Sequence, residues 1–187
     1  CHSADFTSDQ GLSRWLLEQF YSNQREGICI HELLLDEDGF PVDYRILAAN
    51  PAYESILGIA VDDAVGQWAS DLYGAGEPPY LQLYTEAVSS GSTTQFETFF
   101  PPMGKHFDIL VVPLQEKRFA TLFSDITERK QAEQKLFRTS QALRTLSEGN
   151  QLLVRVSDLD TLLQGMCQIL AGTGGYRFAW VGRAEEG

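Results

Sequence analysis

The 187-residue sequence predicts an α+β fold: a five-stranded antiparallel sheet with a block of short helices on one face. Three observations carry that prediction. Two strand-like runs flank an Asp-Gly turn, three more alternate with period two across short turns, and the stretch between the groups is punctuated by capping residues. After the last strand the period changes within a few residues to that of a long, polar helix.

Residues 1–10 are small and polar and read as a loose lead-in. Residues 11–26 form an N-terminal flanking helix, because Leu12, Trp15, Leu16, Phe20 and Tyr21 recur at helical spacing. Ile28–Leu35 and Pro41–Ala49 are strand-like runs around Asp36-Glu-Asp-Gly-Phe40, whose Asp-Gly step supplies the positive φ of a hairpin. Asn50 caps a short helix that has Pro51 at its first position and Gly58 as its terminator.

Residues 61–76 read as short helix and loop with Val65, Trp68 and Leu72 as buried positions, and residues 79–89 as a longer helix. Strands are expected over 93–100, 105–114 and 118–124; sequential strands on short turns make an antiparallel meander, to which the hairpin adds. At its end Ser124 or Asp125 can accept from the free N–H groups of the next helix, and Glu128 complements that helix's dipole.

The element order and particular residues resemble the PAS family of sensory modules. They are Asn50-Pro-Ala-Tyr53, Ile56-Leu57-Gly58, Gly66, Phe107-Asp-Ile109, Val112-Pro-Leu114 and the exit Asp125-Ile-Thr-Glu-Arg-Lys-Gln-Ala-Glu133, which contains Thr127. The resemblance implies a sensory domain over 27–126, a structural role for Asn50 beside the pocket, and an anchoring role for Asp125 at the exit. It also implies that the following helix pairs with its twin in a homodimer. Residues 127–151 are then a signalling helix, with a coiled-coil-like seam through Ala132, Leu136, Thr139, Leu143, Leu146, Asn150 and Leu153 and a hinge at Gly149-Asn150. Residues 152–187 resemble the start of a GAF domain, cut short after an expected strand over 176–181, so the chain reads as an excerpt of a sensor histidine kinase or diguanylate cyclase.

A ligand pocket between sheet and helices would be lined by Tyr53, Ile56, Trp68, Leu72, Tyr84, Phe96, Thr98, Phe107, Ile109, Phe119 and Thr121. For any one of them plain core is the stronger reading, and the inward phase of the fourth strand is open because Leu110 and Val112 are apolar on the opposite face. The ligand is an unidentified small molecule, or none if the core is filled.

Haem and flavin are not expected: His106 is a lone strand histidine, no histidine lies in 77–90, and Cys29 lacks a photosensor setting and reads as a small buried hydrophobe. His31-Glu32 is not a phosphoacceptor site, because it lies in a strand just before the hairpin. The sequence contains no nucleophile triad, metal-binding helix or phosphate loop, so no catalytic residue is assigned. The net charge of −12, without a basic cluster, argues against nucleic-acid or membrane-surface partners, and the three dispersed cysteines fit a reducing cytoplasm.

Overall fold

The computed structural model describes residues 9–74 and 76–181, in two compact units that divide after Thr127. Residues 1–8, most of the expected lead-in, lie outside the described residues.

In the first unit, helix α1 (Asp9–Asn23) precedes strands β1 (Gly27–Leu35) and β2 (Pro41–Ala49). Helices α2 (Pro51–Leu57), α3 (Val61–Ala64), α4 (Ala69–Leu72) and α5 (Leu81–Ser90) follow, and then β3 (Thr94–Phe100), β4 (Lys105–Pro113) and β5 (Arg118–Asp125). The sheet order is β2-β1-β5-β4-β3, all neighbours antiparallel, so the first hairpin joins the later meander through β1 and β5 as the sequence predicts.

The hairpin turn forms as its residues dictate. Asp36 Oδ1 accepts the N–H groups of Asp38 and Phe40 at 3.1 and 2.7 Å, and Gly39 takes the positive φ. Register settles the phase of β4: Phe107, Ile109 and Val111 are buried with Phe119, Thr121 and Phe123 of β5, while Leu110 and Val112 lie on the other face. On β1 the same inner face carries Cys29, His31 and Leu33.

The buried positions between 61 and 76 differ from expectation. Val65 is exposed and Trp68 and Leu72 are only partly buried, whereas Ala64 and Ala69 are fully buried. Alanines let α3 and α4 lie close to β2, where bulky side chains would hold them off. The intervening segment is fastened to β2 by Gly66 N–H donating to the Ile46 carbonyl and Ile46 N–H donating to that of Gln67, with a bridge between Arg45 and Trp68. Ser70 also donates its hydroxyl to Asp43 Oδ2 at 2.6 Å.

The second unit is built from α6 (Thr127–Arg155), beyond its first residue, and α7 (Leu159–Gly172), which fold into a hairpin. Asp158 caps α7 by accepting the Thr161 N–H. Gly165 meets Leu152, Gly149 meets Met166, and the Thr173 hydroxyl bonds to Glu148. Two expectations are corrected here. Helix α6 runs unbroken through Gly149-Asn150, because Gly149 is buried against α7 instead of acting as a hinge. Residues 176–181 do not form a strand, since the described residues of this unit supply no neighbour with which to make a ladder. The seven seam residues, Ala132 to Leu153, are all exposed, because α7 docks on the different face that carries Glu148, Gly149 and Leu152.

Candidate functional site

The site grows from the inner face of the sheet. Cys29 and His31 stand on β1 opposite Thr121 and Phe119 of β5, and a register shift after Ile30 brings Tyr44 of β2 against the His31 ring. Helix α5 covers them with Tyr84. His31 is stacked at 4.7 Å on Phe119 and is met edge-on by Tyr44 at 5.2 Å.

Its polar atoms have two contacts. Nε2 lies 2.9 Å from Thr121 Oγ1, and Nδ1 lies 3.9 Å from Cys29 Sγ. Complete burial among aromatic rings pushes the imidazole down to about 3, so it is neutral at physiological pH. Burial pushes the Cys29 thiol up, which keeps it protonated and unreactive.

Beside this box lies a cavity of ≈ 60 Å³. Its walls are Cys29 and His31 of β1, Tyr44 of β2, Leu57 of α2, Tyr84 of α5, Phe107 and Ile109 of β4, and Thr121 and Phe123 of β5. Tyr73, Pro79 and Tyr80 close it from the segment before α5, Phe100 from the end of β3 and Met103 from the turn that follows. The Tyr44 hydroxyl donates to the Pro79 carbonyl at 3.0 Å, and the Tyr53 and Tyr73 hydroxyls lie 3.1 Å apart.

Four of the eleven expected pocket residues, Tyr84, Phe107, Ile109 and Thr121, line the cavity. The other seven do not. Tyr53 is fully buried against the Phe123 ring, and Phe119 is the platform under His31. Ile56 and Leu72 are partly buried against the core. Phe96 meets the ring of Tyr80 instead of the cavity, Thr98 is on β3 at the sheet edge, and Trp68 carries the Arg45 guanidinium over its ring at 5.6 Å. Sequence reasoning missed His31, Cys29 and Tyr44. The period-two run Cys29, His31, Leu33 places the histidine on the apolar phase, and that signal could have found it.

Two side chains hold the frame. Asn50 Oδ1 accepts the N–H groups of Ile28 and Tyr53 at 2.9 and 3.2 Å, and its Nδ2 donates to the carbonyls of Tyr21 and Glu26 at 3.2 and 2.9 Å. At the exit, Asp125 Oδ1 accepts the Thr127 N–H at 2.9 Å; Ser124 does not take this part. Thr127 Oγ1 accepts the His106 N–H at 2.9 Å, and Ile126 N–H donates to the His106 carbonyl. Burial raises the Asp125 carboxyl, but bonds from Thr127 and the Lys105 ammonium outweigh it and hold the group below its ordinary range.

A five-stranded sheet under a helical cover, with an aromatic cavity between them whose wall strand leads into an exit helix, defines a small α+β module. Residues 41–131 match the family model described as the PAS fold. The chain is similar to a domain of an HTR-like protein from Haloarcula marismortui, at 26% identity over 56% of this chain and 100% of that one, with a TM-score of 0.43. An RNA-binding light-oxygen-voltage receptor shares the fold at 17% identity, covering 75% of this chain and 40% of that one, with a TM-score of 0.50. A sensory box sensor histidine kinase from Vibrio cholerae matches at 18% identity over 63% and 95% of the two chains, with a TM-score of 0.41. No curated protein matches the chain. Among the described residues, no helix is long and apolar enough to cross a membrane, and no group of three or more His, Cys, Asp or Glu side chains could hold a metal ion.

Proposed function

We propose that this chain is the sensory-input and signal-transmission segment of a bacterial, cytoplasmic signalling protein of the sensor histidine kinase type. A small ligand enters the PAS cavity, and its occupancy is relayed through β5 to α6. One observation carries the reading: Thr121 and Phe123 wall the cavity on the same strand whose last residue, Asp125, fixes the start of α6. Transmission requires that the ligand bind two states of this junction with different affinity.

In this reading α6 pairs with α6 of a second copy along the seam Ala132, Leu136, Thr139, Leu143, Leu146, Asn150 and Leu153, whose four leucines are all more than half exposed. Residues 152–187 open a GAF-like domain that passes the signal on. The small volume of the cavity favours a rival: a ligand-free dimerisation module that holds a kinase or diguanylate cyclase in register.

Native mass spectrometry of the purified chain separates the two, together with thermal shifts across a metabolite panel. A co-purified or stabilising small molecule supports sensing; a clean mass and a flat panel support the rival. The Leu143→Asp variant is expected to halve the molecular mass in light scattering, and an unchanged mass removes the paired helix from both readings.

A further inference from the structure

The cavity that serves the proposed sensory role also restricts what can occupy it. Among the described residues no Asp, Glu, Lys or Arg side chain lines it, and its histidine is buried, stacked on Phe119 and met edge-on by Tyr44. An anionic or cationic ligand would leave water for a wall with no counter-charge, at the cost of its hydration. An uncharged ligand escapes that cost.

Size is the second restriction. The ≈ 60 Å³ of the cavity is well above the ~10–15 Å³ that admits a single water and well below the ~150 Å³ of a cavity that admits benzene. That leaves room for about three to five connected non-hydrogen atoms.

The third restriction comes from counting protons along Cys29, His31 and Thr121. A neutral imidazole holds one N–H, the thiol one S–H and the threonine one O–H, which makes three protons for the two contacts in the row. If Nε2 is protonated it donates to Thr121 Oγ1, and the threonine O–H remains to serve an acceptor in the cavity. If Nδ1 is protonated it faces Cys29 Sγ, Thr121 donates to Nε2, and a threonine lone pair remains to serve a donor. The pair can therefore meet a carbonyl or a hydroxyl by exchanging tautomers.

We propose that the PAS cavity takes an uncharged organic molecule of about three to five non-hydrogen atoms with one carbonyl or hydroxyl oxygen, hydrogen-bonded to Thr121 and oriented by His31. This rests on the sensory reading above and narrows it to a ligand class.

The test uses three probes of one shape and different charge, acetone, 2-propanol and acetate, titrated into the full chain while methyl and ring resonances of Thr121, Ile109 and His31 are followed by NMR. Acetone and 2-propanol should give saturable shifts at these residues, with acetate at least about tenfold weaker. Thr121→Val keeps the shape and removes the hydroxyl, and should weaken acetone about tenfold while the chain still melts cooperatively. Acetate binding as tightly as acetone overturns the ligand class, and unchanged acetone affinity in the variant overturns the role of Thr121. No response to acetone or 2-propanol, with a larger or charged molecule in the native mass spectrum, overturns the class and leaves the sensory reading standing. Silence in both experiments overturns both.

Discussion

The Lys105 ammonium stands 3.1 Å from Asp125 Oδ2 while donating to the Ile56 carbonyl at 2.6 Å, so one side chain ties the exit of the domain to the end of α2. The next residue of α2, Leu57, walls the cavity. Asp125→Ala removes both the ion pair and the acceptor for the Thr127 N–H and is expected to cost about 1–2 kcal/mol. Lys105→Met removes only the partly exposed pair and its carbonyl contact and should cost less. Hydrogen exchange at Thr127–Lys130 should accelerate in the aspartate variant; unchanged exchange there would contradict an anchoring role.

Asn50 is fully buried, and its side chain joins the end of α1, the start of β1 and the cap of α2. Asn50→Ala leaves the donors and acceptors around it unsatisfied, with an expected loss of about 3 kcal/mol in chemical denaturation. Asn50→Asp should be no milder, because a carboxylate would then face the carbonyls of Tyr21 and Glu26 that the amide now serves.

His31 confers a specific pH dependence. Its folded value is about 3 and its ordinary value is 6.5, so between those limits the unfolded chain binds the proton that the folded chain refuses. Above pH 6.5 the group has no effect; as pH falls toward 3 it destabilises the fold, by about 1.4 kcal/mol per pH unit over the steep part. A His31→Gln variant should lack this component, so the gap between the two unfolding free energies should change with that slope below pH 6. Parallel curves would show that the imidazole is not kept neutral.

Gly149 and Gly165, two helical glycines of the second unit, should respond differently to alanine. At Gly149 a new Cβ would lie 3.5 Å from Met166, an ordinary contact, so Gly149→Ala should gain about 0.5–1 kcal/mol of helix propensity. At Gly165 it would lie 2.5 Å from Leu152 Cδ2, and the forced repacking should leave that variant about 1 kcal/mol or more below the other. Thermal melting followed by helical circular dichroism measures the difference.

The features legible in the sequence were those fixed by neighbours along the chain. The Asp36 to Gly39 turn and the Asn50-Pro51 start and Gly58 stop of α2 each depend on contacts a few residues away, and each formed as read; of Ser124 and Asp125, both open at the exit, Asp125 accepts the Thr127 N–H. The cavity was harder because its walls meet through register. Tyr44 faces His31 only because of the shift after Ile30, and Pro79 and Tyr80, read as the first turn of the helix, lie just ahead of α5. Burial of Ala64 and Ala69 in place of Val65 and Trp68 had the same origin: the spacing of helix to strand, which no local pattern encodes, favoured the smaller side chain.

The bonds that fasten Gly66 and Gln67 to Ile46 have a consequence for assembly. They occupy backbone groups of β2, one of the two outer strands, so that margin is partly capped by the chain itself, while β3 at the other margin has, among the described residues, only β4 beside it in the sheet. Strand addition, whether by a peptide, a swapped segment or an aggregating neighbour, is therefore directed toward β3. There Gln95 and Glu97 face outward among the exposed positions, and the charge acts as a gatekeeper against open-ended growth.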